Sequence, residues 1–114
     1  MITLYGIKNC DTVKKARDWL SAKKIDYTFH DFRVEGLSQK QVAAWIDELG
    51  LETLVNKRST TWKELDENTK ADFNEKSAIA IITENPTLIK RPVVDTGTLK
   101  AVGFKDSEYA KIFG

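Results

Sequence analysis

The chain has 114 residues, enough for one domain around one core, and its 41% hydrophobic and 10% aromatic content excludes a disordered polymer. Charged residues make up 31% of it, yet the net charge is only +1. That balance gives no electrostatic case for nucleic acid or an anionic membrane as a main partner.

The chain opens with a predicted strand over residues 2–5, Ile-Thr-Leu-Tyr, stopped by Gly6. Val13, Ala16, Trp19 and Leu20 then recur at helical spacing, with Lys and Arg on the other side. Asp11 and Thr12 favour a helix N-terminus, so this helix opens beside Cys10. Cys10 is the one cysteine of the chain. It falls where unpaired backbone N–H groups and the positive end of a helix dipole favour thiolate over thiol. Cys10 is therefore the candidate nucleophile, weighed against the small buried thiol that most single cysteines are.

Lys23 and Lys24 supply a basic last turn. Residues 25–32 read as a second strand in which Ile25, Tyr27 and Phe29 alternate with polar neighbours. Strand, helix and strand in this span make a βαβ unit with parallel strands and a right-handed crossover.

Ser38 and Gln41 form a capping box, and Val42, Trp45, Ile46 and Leu49 line one helical face closed by Gly50. Leu51, Leu54 and Val55 read as a further helical turn. The polar run Asn56-Lys57-Arg58-Ser59-Thr60-Thr61 is a loop, and Thr61 with Glu64 opens a short helix carrying Trp62 and Leu65. Asn68 caps another short helix with Ala71 and Phe73. Ser77 starts the next, with Ala78, Ile79, Ile81 and Ile82 facing inward, and Asn85-Pro86 stops it.

Pro92-Val93-Val94-Asp95 reads as a strand that begins with proline, where no ladder donor is lost. Thr96-Gly97-Thr98 is a turn, and residues 99–104 return as the paired strand of a hairpin. Asp106 or Ser107 caps a last helix bearing Tyr109, Ile112 and Phe113. The sum is an α/β chain: β-α-β, a helical run, then β-β-α, with a four-stranded mixed sheet. Residues 1–114 form a single domain, with residues 37–86 a helical insertion within it.

No apolar run approaches the ~20 residues of a bilayer span. The start Met1-Ile2-Thr3-Leu4 leads into a strand without the pattern of a secretory leader. One cysteine excludes an internal disulfide framework and fits a reducing, cytoplasmic setting. One Cys with one His, His30, makes no metal site of usual type, so none is expected. His30 reads as an exposed or packing side chain, and the three tryptophans as core.

Three blocks carry a family resemblance: Tyr5-Gly6-Ile7-Lys8-Asn9-Cys10-Asp11-Thr12, Ile89-Lys90-Arg91-Pro92-Val93, and residues 56–65 from Asn56-Lys57-Arg58 to Glu64-Leu65. With the element order, they resemble the thioredoxin-like fold of the ArsC/Spx family, and most closely its YffB branch through Lys14-Lys15-Ala16-Arg17 and Val102-Gly103-Phe104-Lys105. The resemblance implies Cys10 as nucleophilic thiol. It implies Pro92 as the cis proline facing it, and Arg91 as an arginine that stabilises a thiolate or holds an anionic substrate oxygen.

The departures bear on activity. Val13 stands where a C-x-x-C pair would place its second cysteine. Of the three arginines that the family's arsenate reductases use, Asn56 and the neighbourhood of Gly103 occupy two positions and only Arg91 remains, with Arg58 matching an Spx-like pattern. Resolution of a mixed disulfide then needs a thiol from another molecule. The expectation is a monothiol, glutathione-dependent thiol–disulfide oxidoreductase with no tightly bound cofactor and glutathione as co-substrate. Arg91, Arg58, Thr12 and Lys8 would stabilise the thiolate or bind substrate beside Pro92. For Arg58 and Lys8 a solvated surface role is the competing reading. A non-catalytic Spx-like docking module is the alternative and arsenate reductase the third. The expected partners are glutathione, a glutathionylated or disulfide substrate, or a protein, and the chain is expected to be a monomer.

Overall fold

A computed structural model describes residues 2–113, which divide into two compact units. The first unit comprises Met1–Glu35 and Arg91–Gly114, and the second is Gly36–Lys90.

In the first unit, β1 (Thr3–Gly6), β2 (Thr28–Asp31), β3 (Val93–Asp95) and β4 (Lys100–Val102) form one sheet in the order β2-β1-β3-β4. β2 runs parallel to β1, while the β1–β3 and β3–β4 pairs are antiparallel. The helix α1 (Asp11–Ala22) makes the crossover from β1 to β2, and α8 (Asp106–Phe113) follows β4. This is the mixed sheet that the βαβ and ββα patterns predict. Leu4 pairs with Val94 in register, so both side chains project from one face. Ala16 and Leu20 of α1 and Tyr109 of α8 join them in one fully buried cluster, with Trp19, Phe104 and Phe113 packed around it. α1 and α8 thus cover the same face of the sheet.

Gly6 sets how closely α1 approaches β1. A Cβ at Gly6 would lie 2.7 Å from Cγ2 of the buried Val13, inside the distance at which any carbon can sit. The helix ends in a Schellman motif: Lys24 N–H donates to Ser21 O and Ile25 N–H to Leu20 O, both at 3.0 Å. Lys24 occupies the left-handed position at φ 57. The two lysines expected in the last turn therefore lie just beyond it, Lys23 as C-cap and Lys24 after it.

The strands are shorter than the pattern predicts. β2 begins at Thr28, because Ile25 is still tied to the end of α1. It ends at Asp31, because Asp31 Oδ1 accepts the Arg33 N–H at 3.0 Å and turns the chain into α2 (Phe32–Glu35). Phe32, read from sequence as strand, is buried at the start of that turn. β4 likewise covers only the middle of residues 99–104, and Leu99 is exposed.

The second unit is helical: α3 (Gln39–Leu49), α4 (Leu51–Leu54), α5 (Thr60–Glu64), α6 (Glu67–Ala71), α7 (Glu75–Glu84) and a 3-10 turn over Pro86–Leu88. Val42, Trp45 and Ile46 of α3 and Ala78 and Ile82 of α7 are buried, and α3 packs against α7. Ser38 caps α3 and Gly50 ends it at φ 85, as the sequence predicts. Three other starts lie two or three residues earlier than predicted. Ser59, Asp66 and Asn74 are the caps of α5, α6 and α7, in place of Thr61, Asn68 and Ser77. Ser77 is instead the reciprocal partner of Asn74 in a capping box. Lys90 N–H donates to Leu54 O and Asn56 N–H to Leu88 O, both at 2.8 Å, with a bridge between Val55 and Ile89. These bonds anchor the residues immediately before Arg91.

Candidate functional site

Cys10 is itself the N-cap of α1. Its backbone is extended (φ −133, ψ 120) and its carbonyl accepts the Lys14 N–H at 2.9 Å, the first bond of the helix. An N-cap side chain commonly accepts the N–H of the second or third helical residue, here Thr12 or Val13. The Cys10 side chain accepts neither. Cys10 is a free cysteine and, as a residue, is half-buried. A thiolate at this position has the helix's first-turn amides and dipole as stabilising partners. Asp11, in the same turn, opposes that field with its own negative charge.

The sheet register brings the second part of the site to the same end. Tyr5 pairs with Val93, so the C-terminal end of β1, which leads into the Cys10 loop, lies beside the N-terminal end of β3. The residues entering β3 are Arg91 and Pro92, joined by a cis peptide bond. Pro92 is buried and its carbonyl accepts the Gly103 N–H at 2.9 Å, while Arg91 is half-buried. Gly6 also pairs with Asp31, so the end of β2 completes this edge. Asp31 is the buried charged residue of the described core.

Of the residues singled out from sequence, Cys10, Thr12, Lys8, Arg91 and Pro92 all belong to the first unit. Thr12 is half-buried and Lys8 exposed. Arg58 belongs to the second unit, where it is exposed and its N–H donates to Asn56 Oδ1 at 3.0 Å. His30 packs: its ring lies 5.0 Å from that of Tyr5, and its Nδ1 is 3.8 Å from Glu35 Oε2. Trp45 is fully buried, whereas Trp19 and Trp62 are half-buried. Trp19 donates to Asp106 Oδ1 at 3.2 Å, and Trp62 stacks edge-on against Phe73 at 5.0 Å.

One feature escapes the sequence reading: Arg17, whose Nε donates to the Tyr27 hydroxyl at 3.0 Å and whose guanidinium lies 4.2 Å over the Phe29 ring. Its position seven residues after Cys10, two helical turns on, is the signal that was available.

Among the described residues no group of His, Cys, Asp and Glu could hold a metal ion. No helix among them is long and apolar enough to cross a membrane.

Comparison with known proteins bears on the family and the fold. A protein of Haemophilus influenzae is 47% identical over 113 residues, covering 99% of each chain. The global transcriptional regulator Spx of Streptococcus pyogenes is 27% identical over 110 residues, covering 95% of this chain and 81% of its own. The solved structure of a YFFB protein superposes with a TM-score of 0.96 at 43% identity, over the full length of both chains. The ArsC family model matches residues 5–112, spanning the Cys10 loop, the insertion and the Arg91–Pro92 arm, and the chain belongs to the ArsC family.

Proposed function

We propose that this protein is a monothiol, glutathione-dependent thiol–disulfide reductase with Cys10 as its nucleophile. The observation that carries the reading is the seat of Cys10: a half-buried free cysteine at the N-cap of α1, making no cap bond of its own, at the end of the sheet that also bears Arg91 and Pro92.

The reaction balances with one cysteine. Cys10 thiolate attacks the glutathione sulfur of a glutathionylated substrate. The substrate S–S bond breaks, and the substrate sulfur leaves as a thiolate that takes a proton from water. A second glutathione, as thiolate, attacks the glutathione sulfur now bonded to Cys10. Glutathione disulfide leaves and the Cys10 thiolate returns, so the one free glutathione thiolate supplies the electron pair that ends on the substrate sulfur, and the glutathionyl group of the substrate becomes the other half of the glutathione disulfide. The first-turn amides and the Arg91 guanidinium stabilise the anionic sulfur at both stages. An extended glutathionyl chain lies along the backbone at Pro92. Lys8 is the further cation of this unit assigned to the glutathione carboxylates or to the thiolate.

Similarity to Spx favours a second reading, in which the fold keeps a protein-docking surface and Cys10 performs no turnover. One experiment separates the two. Incubation with glutathione disulfide, read by intact-protein mass spectrometry, gives a single glutathionyl adduct on Cys10 that excess glutathione removes and that Cys10→Ser lacks. Absence of any adduct, with Cys10 alkylated no faster than free cysteine at neutral pH, would favour docking. Arsenate-dependent oxidation of glutathione is expected to be nil, since Arg91 stands alone of the three arginines that chemistry uses in the family.

A further inference from the structure

A second feature of the first unit lies along α1, away from its capped start. The exposed Lys14, Asp18 and Ser21 and the half-buried Arg17 share one stripe of the helix and, with Lys8 from the β1–α1 loop and Tyr27 from the approach to β2, line a cleft of about 340 Å³. The cleft holds three cations and one carboxylate. The carboxylate is already satisfied: Asp18 Oδ2 accepts from Lys14 Nζ at 2.9 Å, an interaction that also holds the Lys14 ammonium pKa above its ordinary value. What remains is a cationic recess within a chain of net charge +1.

Arg17 gives this recess its chemistry. The guanidinium is fixed on two sides, by the Tyr27 hydroxyl at 3.0 Å on Nε and by the Phe29 ring at 4.2 Å under its plane. A guanidinium held in this way has paid its ordering entropy before a ligand arrives. Its terminal nitrogens present the two-pronged donor edge that matches a carboxylate. Tyr27 accepts from Arg17, so the phenol hydrogen remains to donate. Lys8, two residues before Cys10, lines the same cleft. The recess therefore runs from the Cys10 loop along the three turns of α1.

We propose that this cleft receives the carboxylate of an acidic side chain on an extended protein substrate, placed about three residues from the cysteine whose disulfide Cys10 attacks. The spacing follows from the helix. Seven residues separate Cys10 from Arg17, about 10 Å of helix axis, and an extended chain covers that in about three residues. The inference rests on the thiol–disulfide reading and gives it a substrate class: disulfides or glutathionylated cysteines flanked by acidic residues. The three cations disfavour a basic flank, and Asp18, already ion-paired with Lys14, does little to attract one.

The test uses short peptides carrying one cysteine as its 2-pyridyl disulfide, with Glu, Gln or Lys three residues away on either side. Cys10 thiolate attacks the peptide sulfur, the S–S bond breaks, and pyridine-2-thione leaves and is followed by its absorbance. The Glu peptide is expected to react about tenfold faster than the Gln peptide at low ionic strength, with Lys slowest. That ratio falls toward one as salt is raised. Arg17→Gln brings it near one, and Arg17→Glu shifts the preference to the Lys peptide. Equal rates for the three peptides on the wild-type chain, or a ratio that survives Arg17→Gln in a folded variant, would overturn the assignment. Glutathione disulfide compared with its ethyl ester supplies a further arm: the same ratio and the same dependence on Arg17 there would assign the cleft to glutathione's own carboxylates, overturning the protein-segment reading. The underlying enzyme reading fails differently, by glutathione failing to release the peptide from Cys10, whatever the charge ratio of the first attack.

Discussion

Helices begin in two ways in this chain, and α1 of the first unit contrasts with four helices of the second. In the second unit, α3, α5, α6 and α7 start on oxygen. Ser38 accepts from Gln41 N–H and Ser59 from Trp62 N–H at 3.1 Å, Asp66 accepts from Thr69 N–H at 2.7 Å, and Asn74 accepts from Lys76 and Ser77 at 3.0 Å. In the first unit, α1 starts on a sulfur that accepts none. Each oxygen cap is worth about 1 kcal/mol, so α1 forgoes stabilisation that its neighbours in sequence take. Asp66 shows what a first-turn amide does for an anion: its hydrogen bond from Thr69 holds the carboxyl below the usual range. The corresponding first-turn donors at α1 are not taken by the Cys10 side chain. The insertion uses these helix starts to hold itself together, and α1 does not.

The sharpest way to break that comparison is to give α1 an oxygen. Cys10→Ser should abolish reaction with disulfides altogether, and it should also raise stability by about 0.5–1 kcal/mol, because the hydroxyl takes the amide that the sulfur leaves. Chemical denaturation beside an exchange assay checks both halves. A serine variant that is less stable than wild type would mean that the thiol packs in a way its hydroxyl cannot copy.

Next in size is the placement of the helix itself. Gly6→Ala puts a methyl carbon 2.7 Å from Val13 Cγ2, and Val13 is β-branched and buried, so α1 must shift away from β1. The expected cost is about 1–3 kcal/mol, together with slower alkylation of Cys10. Adding Val13→Ala should make the double variant less destabilised than the sum of the two single changes. Strict additivity in urea denaturation would show that the contact does not position the helix.

The opposite change in the second unit is smaller. Asn74→Ala removes a capping box and should cost about 1 kcal/mol, with the alkylation rate of Cys10 unmoved. A large fall in that rate would mean that the insertion's caps serve the site after all.

Much of this contrast was legible in the chain. Gly6, the Val13–Ala16–Leu20 period and a polar residue after Cys10 locate the start of α1, and Pro92 before two valines locates the arm beside it. The caps of the second unit were harder, because its loops hold several residues able to cap. Thr61 and Glu64 satisfy the capping pattern, yet Ser59 takes the role because Asn56 folds the preceding turn, accepting Arg58 N–H at 3.0 Å and, through its carbonyl, Ser59 Oγ at 2.7 Å. Periodicity cannot rank such neighbours, since the choice depends on where the turn before them closes. The Arg17 recess was legible only in part: the spacing from Cys10 was there to read, but its guanidinium is held by Tyr27, just before β2, and by Phe29 on β2, residues that share no period with α1.

The smallest effect lies in the packed face of the sheet, at Tyr109. Its ring is buried edge-on against Phe104 and Trp19, and its hydroxyl is buried with no hydrogen-bond partner among the described residues. Burial, with a lesser contribution from the Glu108 charge, pushes the phenol pKa well above its ordinary value. The folded chain therefore favours the protonated phenol, and that preference contributes nothing to the pH dependence of stability below the unfolded value of about 10. Above it the unfolded chain loses the proton first, and stability falls by about 1.4 kcal/mol for each pH unit. Tyr109→Phe removes an unsatisfied hydroxyl and should be neutral or stabilising by about 1 kcal/mol at pH 7. The gap between variant and wild type should then widen between pH 10 and 11, which urea denaturation at the two values measures. A variant that is less stable at pH 7 would mean that the hydroxyl is satisfied by solvent, and that the aromatic cluster under α8 is wetter than its burial indicates.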